Sequence, residues 1–176
     1  MDLLSPITLT KSIGVYINFS MTVVGEAAVK PLKVLFVCFA NLCRSPMAEV
    51  IAETLYAGRI EARSAGVSPA PGGPFEEAVA VVRRRYGVDI SSHRPRHVLE
   101  LPVQDFDFVI ALDSGVFLRL TEMARIPKDR LYGWEVPDPC GLGHDAYERT
   151  AQTIESALEK FLLNREQERT LPRRRP

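Results

Sequence analysis

The sequence predicts an α/β fold, a four-stranded parallel sheet with helices on both faces. Short apolar segments rich in β-branched residues alternate with stretches in which apolar residues recur at helical spacing. Such alternation is typical of parallel strands joined by right-handed crossover helices. A length of 176 residues, with 46% hydrophobic and 25% charged residues, indicates one globular domain with a substantial core.

The strands are short apolar runs, which we place at residues 33–38, 60–64, 106–112 and 130–132. The third run is almost continuously apolar, as expected for a strand that is covered on both faces. Ligands of open parallel sheets bind beyond the carboxyl ends of the strands. We therefore expect the functional side chains at that edge of the sheet.

The helices follow from the spacing of apolar residues, which predicts them at residues 47–56, 75–86, 114–124 and 145–163. Gly87 is suited to end the second helix, and Ser114 is suited to be the N-cap of the third. Residues 68–74 are rich in proline and glycine and are predicted to form a loop.

The segment from Val34 to Glu49, VLFVCFANLCRSPMAE, carries the strongest functional signal. The first strand ends on Cys38, and a short loop leads into a helix that Pro46 is suited to begin, because its missing N–H would lack a partner there. Five residues separate Cys38 from Arg44, and Ser45 follows. This arrangement predicts a loop that binds an anion between the first strand and the first helix.

The chemistry of this loop suits phosphate esters. Backbone N–H groups at a helix N-terminus favour negative charge, and together with Arg44 they favour the thiolate of Cys38, which is the nucleophilic form. The planar guanidinium of Arg44 can bind two phosphoryl oxygens at once. The sequence therefore indicates attack of a thiolate on phosphorus.

The loop resembles the signature of the low-molecular-weight protein tyrosine phosphatases, in which a cysteine, five residues, an arginine and a serine or threonine follow the first strand. Further segments resemble the landmarks of this family in the family's order, namely RSAG at 63–66, DISSHRPR at 89–96, FVIALD at 108–113 and VPDP at 136–139. The resemblance implies a phosphatase domain over residues 32–164, preceded by an extension at 1–31 and followed by a basic, frayed tail at 165–176.

The resemblance also implies roles for individual residues. Cys38 would be the nucleophile, Arg44 the clamp on the phosphoryl group, and Asp138 the acid that protonates the leaving group and then activates water. The phosphate would lie on the loop formed by Phe39, Ala40, Asn41, Leu42, Cys43, Arg44 and Ser45. Supporting roles fall to Ser45, which would donate a hydrogen bond to the Cys38 sulfur, and to Asn41, Ser64, His93 and Asp113.

For two of these supporting residues a second interpretation stays open. His93 is also compatible with a surface histidine in a turn, and Asp113 with an acidic residue at the start of a helix. Asn41 is suited to left-handed backbone angles. His97 and His144 have no motif around them, and we assign them no role.

Cys43 resembles the second loop cysteine of the family, which implies a reversible disulfide that protects an oxidised Cys38. The three cysteines contain no Cys-x-x-Cys pair of the kind that binds zinc, and no Walker A sequence is present. We therefore expect a site that works without a metal or another cofactor.

The chain departs from the family at several positions. Ala40 stands where the family usually has glycine, which predicts a slightly strained or differently curved loop. The family flanks its phosphate site with aromatic residues, but residues 67–70 and 140–142 contain none, and Tyr147 belongs to the last predicted helix. Leu42 is bulky where relatives that act on phosphoarginine have threonine, which argues against that substrate.

The leading functional hypothesis is a phosphatase that hydrolyses phosphotyrosine in proteins through a phosphocysteine intermediate. A protein phosphoarginine phosphatase on the same scaffold is the main alternative. A thioredoxin-coupled arsenate reductase needs further cysteines, and residues 91–139 contain none. A non-catalytic phosphate-binding protein would need neither a nucleophile nor an acid. The partner is a phosphorylated protein, for which the resemblance suggests a bacterial tyrosine kinase.

Charge and cysteine content indicate where such a protein works. A formal net charge of +0 gives no sign of nucleic acid or membrane as a partner, and a reduced cytoplasm suits an enzyme that depends on a thiolate. Residues 1–30 lack the pattern of a secretory signal or a membrane span. Residues 1–20 are either a genuine extension or an artefact of the assigned start, with Met21 as the initiator; the oligomeric state stays open.

Overall fold

The computed structural model describes residues 30–123 and 126–170. The elements follow in the order β1 (Leu32–Cys38), α1 (Arg44–Leu55), β2 (Ile60–Gly66), α2 (Glu76–Tyr86), β3 (Phe108–Ala111), α3 (Ser114–Met123), β4 (Leu131–Gly133) and α4 (His144–Thr170). The extension before Lys30, Met21 within it, Ala124 and residues 171–176 lie outside the described residues. No helix in the described ranges has the length and apolarity needed to cross a membrane.

The four strands form one parallel sheet in the order β2-β1-β3-β4. Side chains of β1 alternate between two cores, because successive residues of a strand point to opposite faces. Phe36 packs in the larger core with residues of α1, α2 and α4, whereas Val37 packs in the smaller core with residues of α3. This arrangement confirms the predicted parallel sheet with helices on both faces.

The start of α1 and the N-cap of α3 differ from the prediction. α1 begins at Arg44, so Pro46 lies further into the first turn, where N–H groups also lack intrahelical partners and proline is tolerated. The N-cap of α3 is Asp113 and not Ser114, because Asp113 Oδ1 accepts a hydrogen bond from the N–H of Val116 at 2.7 Å. A carboxylate at this position also interacts favourably with the helix dipole.

The last helix is longer than predicted. α4 extends to Thr170, so the predicted end at residue 163 is wrong and the first part of the expected tail at 165–176 is helical. Arg165 explains the extension, because its guanidinium lies 5.2 Å from the ring centroid of Tyr132 and 5.6 Å from that of Phe161. Glu166 forms an ion pair with Arg59, which ties the same turn to the start of β2.

Gly66 lets the loop after β1 approach the end of β2 closely. A Cβ atom at Gly66 would lie 2.7 Å from the carbonyl oxygen of Phe39 and 3.1 Å from the backbone nitrogen of Asn41. Both contacts involve backbone atoms, which cannot move aside as a flexible side chain would. Only glycine therefore fits at this crossing of two backbones.

We expect Gly66→Ala to lower the free energy of unfolding by about 1–3 kcal/mol, because the new methyl group would displace the backbone of the loop. Gly73→Ala is the matched control, since its Cβ would meet the carbonyl oxygen of Ser91 at an ordinary 3.7 Å. Urea unfolding followed by circular dichroism measures both changes. Equal stability of the two variants would contradict the close approach as the reason for glycine.

Candidate active site

The carboxyl edge of the sheet brings the predicted site residues together. Cys38 ends β1, Ser64 lies in β2, and Asp113 follows β3. Asp138 comes after β4, in a segment that begins with a hydrogen bond from the N–H of Trp134 to the carbonyl of Ala111. The parallel topology thus converges residues that are far apart in sequence, as such sheets do at their carboxyl ends.

Cys38 is almost completely buried, and its sulfur has two polar neighbours. The backbone N–H of Asn41 donates to Sγ at 3.2 Å, and Ser45 Oγ lies 3.0 Å from the same atom. Ser45 Oγ also lies 3.2 Å from the carbonyl oxygen of Ala65. When Cys38 is a thiolate, the single hydroxyl proton of Ser45 can point to its sulfur. When Cys38 is a thiol, the S–H can donate to Ser45 Oγ and the hydroxyl proton can point to the carbonyl oxygen of Ala65.

Arg44 is buried and lies between two carboxylates. Its Nη1 donates to Asp113 Oδ2 at 2.7 Å and to the carbonyl oxygen of Val136 at 3.3 Å. Its Nη2 donates to Asp138 Oδ2 at 2.9 Å. A buried guanidinium requires such pairing, because an isolated charge in the interior would be strongly destabilising.

The two carboxylates differ in their surroundings. Asp113 uses one oxygen for Arg44 and the other for its capping bond at the start of α3, so both interpretations of this residue hold together. The Asp138 side chain is 53% exposed, compared with 28% for that of Asp113. Asp138 Oδ1 accepts a hydrogen bond from the N–H of Cys140 at 3.2 Å. Asp138 therefore lies at the mouth of the site, where a leaving group would depart.

Asn41 has a left-handed backbone, with φ of 57°, as predicted, and a completely buried side chain. Its Nδ2 donates to Ser45 Oγ at 2.9 Å and to Ser64 Oγ at 3.1 Å. Its Oδ1 accepts from the N–H of Arg96 at 3.0 Å and lies 3.2 Å from His93 Nε2. The side-chain amide therefore joins the loop to α1, to β2 and to the segment around His93.

His93 belongs to this network and is not a surface histidine. Its Nε2 faces two oxygens of Asn41, the carbonyl at 3.1 Å and Oδ1 at 3.2 Å, so this nitrogen carries a proton. Burial lowers the pKa of His93 below its ordinary value, and the charges of Arg94 and Arg96 act in the same direction, against the hydrogen bond to Asn41. Burial therefore favours the neutral form of the imidazole.

Glu49 is a supporting residue that the sequence analysis missed. Ser64 Oγ donates to Glu49 Oε2 at 2.5 Å. Burial raises the pKa of this carboxyl, although the bond from Ser64 and the charge of Arg96 oppose the shift. The spacing of four residues between Ser45 and Glu49 was an available signal, because it places both on one face of α1.

The backbone of the loop is held from the side of β2. The carbonyl oxygens of Cys38, Phe39 and Ala40 accept hydrogen bonds in turn from the N–H groups of residues 67, 68 and 70, at 3.1, 2.9 and 3.4 Å. Ala40 does not adopt the left-handed conformation, since Asn41 is the one non-glycine residue with positive φ in the described part of the chain. The strain expected from alanine at position 40 is therefore absent from its φ angle.

Cys43 lies inside the loop but faces the core. Its Sγ is 3.9 Å from the hydroxyl oxygen of Tyr147, and Tyr147 itself is buried in α4, as predicted. Burial raises the pKa of the Cys43 thiol to about 12. Cys38 and Cys43 are both free thiols here, whereas Cys140 lies exposed beside Asp138. The disulfide implied for Cys43 stays a prediction.

The rim of the site contains an aromatic residue of the loop itself. Phe39 is 44% exposed, whereas Leu42 is nearly buried. Trp134 is turned into the core, where its ring lies 5.7 Å from that of Phe36. Leu142, in the segment where the family has aromatic residues, is exposed. The sequence analysis placed Phe39 among the phosphate-binding residues and did not identify it as part of the rim.

We expect His93 to make the protein less stable in mild acid. Because folding lowers the pKa of His93, the unfolded chain binds a proton at this residue at a higher pH than the folded protein does. The stability associated with the neutral imidazole is therefore present above about pH 6.5 and is lost as the pH falls through the folded-state pKa. Between about pH 7.5 and pH 5.5, His93→Asn should therefore lose less of its free energy of unfolding than the wild type. Urea unfolding at the two pH values measures the difference.

The control for this experiment is His144→Gln, because His144 is an exposed histidine at the start of α4. It should lose as much stability in acid as the wild type does. An equal loss in the wild type and His93→Asn would show that the network tolerates a protonated His93.

Comparison with known proteins identifies the family. The sequence profile described as low molecular weight phosphotyrosine protein phosphatase matches residues 33–172. The low molecular weight protein-tyrosine-phosphatase YfkJ of Bacillus subtilis is 34% identical over 157 residues, which cover 80% of this chain and 99% of that protein. The protein-arginine-phosphatase of Geobacillus stearothermophilus is 26% identical over 140 residues, which cover 74% and 94%.

Solved structures agree with this result. The low molecular weight protein tyrosine phosphatase from T. tengcongensis superposes with a TM-score of 0.68 at 34% identity, covering 76% of this chain and 99% of that one. The family profile covers the loop from Cys38 to Ser45, the strands β2, β3 and β4, and β1 from residue 33 onward. The chain belongs to the low-molecular-weight protein tyrosine phosphatase family.

Proposed function

We propose that this protein is a cysteine-dependent protein tyrosine phosphatase, a phosphoric monoester hydrolase that acts on phosphorylated proteins. The observation that carries the proposal is the grouping at one sheet edge of a buried cysteine, an arginine and a carboxyl group at the mouth of the site. Membership of the family supports the same conclusion.

In the first step the thiolate of Cys38 attacks phosphorus. The S–P bond forms and the P–O bond to the tyrosine ring breaks, while Asp138 gives its proton to the departing phenolate. Arg44, together with the N–H groups of the loop, binds the charge on the transferring phosphoryl oxygens. The O–H of Ser45, 3.0 Å from the sulfur, can stabilise the thiolate before attack.

In the second step water attacks the phosphocysteine. The carboxylate of Asp138 takes a proton from the water, the O–P bond forms, and the S–P bond breaks to release phosphate and the Cys38 thiolate. The hydrogen bonds from the N–H of Asn41 and the O–H of Ser45 stabilise this leaving group. One carboxyl group thus serves both steps, first as acid and then as base.

Specific residues distinguish this function from the alternatives. The resemblance associates a bulky residue such as Leu42 with members that act on phosphotyrosine, which argues against phosphoarginine, although one relative is named a protein-arginine-phosphatase. A protein that only binds phosphate would need neither Cys38 nor Asp138. An arsenate reductase relay requires cysteines that residues 91–139 lack. We also propose that the substrate protein is a tyrosine kinase and that the enzyme works in a reducing cytoplasm.

We expect Cys38→Ser to abolish hydrolysis of p-nitrophenyl phosphate and of phosphotyrosine peptides, because serine is a far weaker nucleophile than a thiolate. Asp138→Asn should lower kcat by about 10²–10⁴-fold on a phosphotyrosine peptide, the usual contribution of general acid–base catalysis. The loss should be smaller on p-nitrophenyl phosphate, whose leaving group needs little help from a proton. Steady-state kinetics on both substrates provide the measurement.

The matched control is Asp129→Asn, an exposed aspartate outside the site, which should retain full activity. Phosphoarginine peptides are assayed in parallel. Faster turnover of phosphoarginine than of phosphotyrosine would overturn the proposed substrate. Equal losses in Asp138→Asn on both leaving groups would overturn the role of Asp138 as the acid.

We expect Cys43 to protect the site from peroxide. Peroxide oxidises Cys38 to a sulfenic acid, and the thiol of Cys43 then condenses with it, which forms a disulfide and releases water. After brief peroxide treatment, dithiothreitol should restore the activity of the wild type but not that of Cys43→Ala. Cys140→Ala, which removes the exposed cysteine, is the control and should recover fully. Equal recovery of Cys43→Ala would contradict this role.

A further inference from the structure

Phe39 is the exposed side chain of the catalytic loop. Its side chain is open to solvent, whereas Cys38 before it and Asn41 after it are buried. The ring belongs to the residue that directly follows Cys38, at the edge of the loop. The position suggests contact with the group that carries the phosphate.

The strand direction places Phe39 on the side of the sheet that α3 covers. Leu35 and Val37 point into the core on that side, and alternation along the strand continues to Phe39 at the edge. The guanidinium carbon of Arg119, an exposed residue of α3, lies 5.4 Å from the centroid of the Phe39 ring. Ring and cation therefore form one surface above the sheet edge.

The positive charge of this pair is not neutralised within the described part of the chain. No carboxylate of residues 30–123 and 126–170 lies within 4.0 Å of the Arg119 guanidinium. The other arginine of the site, Arg44, is buried, pairs with Asp113 and Asp138, and is assigned to the phosphoryl group in the proposed mechanism. Arg119 is thus available to a negative group that approaches the rim from solvent.

Both members of the pair are held in place by elements of the catalytic site. The carbonyl of Phe39 accepts a hydrogen bond from the N–H of Ser68 at 2.9 Å. The helix of Arg119 is capped by Asp113, the same residue that contacts Arg44. These bonds fix the backbone from which both side chains project.

We propose that Phe39 and Arg119 form a subsite for the leaving group: the Phe39 ring packs against the tyrosine ring, and Arg119 pairs with a carboxylate beside the phosphotyrosine. The inference rests on the proposed function and names its substrate class, phosphotyrosine in an acidic segment. The Phe39 ring supplies the aromatic contact that residues 67–70 and 140–142 do not.

Two peptides test the subsite, a phosphotyrosine peptide flanked by aspartate and glutamate and the same peptide with asparagine and glutamine. The wild type should prefer the acidic peptide in kcat/KM, and Arg119→Gln should lose this preference, a change of about 2- to 5-fold for an exposed ion pair. Added salt should weaken the preference of the wild type, because the pair is exposed. Phe39→Leu should raise KM for both peptides by about 3- to 10-fold, and Phe39→Tyr should restore it.

Matched controls are Phe75→Leu, which changes an exposed phenylalanine before α2, and Arg59→Gln, which removes an arginine stacked on Tyr56. Both should behave as the wild type. Inhibition by inorganic phosphate distinguishes the subsite from the loop, because phosphate lacks a leaving group. Its inhibition constant should not follow the change in KM in Phe39→Leu.

Peptide binding without turnover is measured by titrating the same peptides into Cys38→Ser protein that also carries Phe39→Leu or Arg119→Gln. The subsite is overturned, even though the enzyme is active, if Arg119→Gln keeps the preference for the acidic peptide. It is also overturned if Phe39→Leu has the same KM as Phe75→Leu. If the wild type hydrolyses no phosphotyrosine, the proposed function fails, and the titration alone decides the subsite.

Discussion

The buried side-chain amide of Asn41 is the interaction on which the catalytic loop depends. Its two donors and its acceptor oxygen contact Ser45, Ser64, His93 and the N–H of Arg96. These partners belong to the first helix, the second strand and the segment between the second helix and the third strand. A left-handed non-glycine residue is tolerated where its surroundings determine its conformation, and here every polar atom of the side chain is satisfied. The shape of the loop is therefore a property of the whole domain.

A second constraint is the charge of Arg44, which is buried and must be paired. Two carboxylates share it, but they are not equivalent. Asp113 is committed to both Arg44 and the start of α3, which fixes the guanidinium from one side. Asp138 is more exposed and reaches the guanidinium from the mouth of the site. Asp113 is thus the more constrained partner of Arg44, and in the proposed mechanism the more exposed Asp138 exchanges protons with the leaving group and with water. In that mechanism one carboxylate holds the guanidinium and the other transfers protons.

The sequence predicted the parallel sheet and the residues that meet at its edge, because strand periodicity and the spacing from Cys38 to Ser45 are local patterns. The third helix begins at Ser114 as predicted, but its cap is the preceding residue, Asp113, whose Oδ1 accepts from the N–H of Val116. The end of the last helix was placed at residue 163, because the stacking of Arg165 on Tyr132 is a tertiary contact. Glu49 was missed because its partner Ser64 is distant in sequence, although its spacing from Ser45 on the helix was visible. Ala40 has no left-handed φ, because that geometry falls on the next residue, Asn41. Local patterns thus locate the chemistry, and contacts between elements decide how it is supported.

The interior of the site and its rim are under different physical constraints. Around Cys38 the side chains are buried and hydrogen-bonded, so a substitution there leaves an unsatisfied polar group or a clash and changes the chemistry for every substrate. At the rim, the side chains of Phe39 and Leu142 are exposed and contribute little to core packing, so substitutions there need not unfold the domain. Relatives named for phosphotyrosine and for phosphoarginine match this chain, so selectivity must reside in residues that differ between them. In this chain an exposed aromatic residue, Phe39, lies in the loop itself, next to Cys38. Under the proposed function its ring is attached to the same hydrogen-bonded stretch of backbone that shapes the phosphate site, so recognition of the leaving group and activation of the thiolate would depend on one segment of the chain.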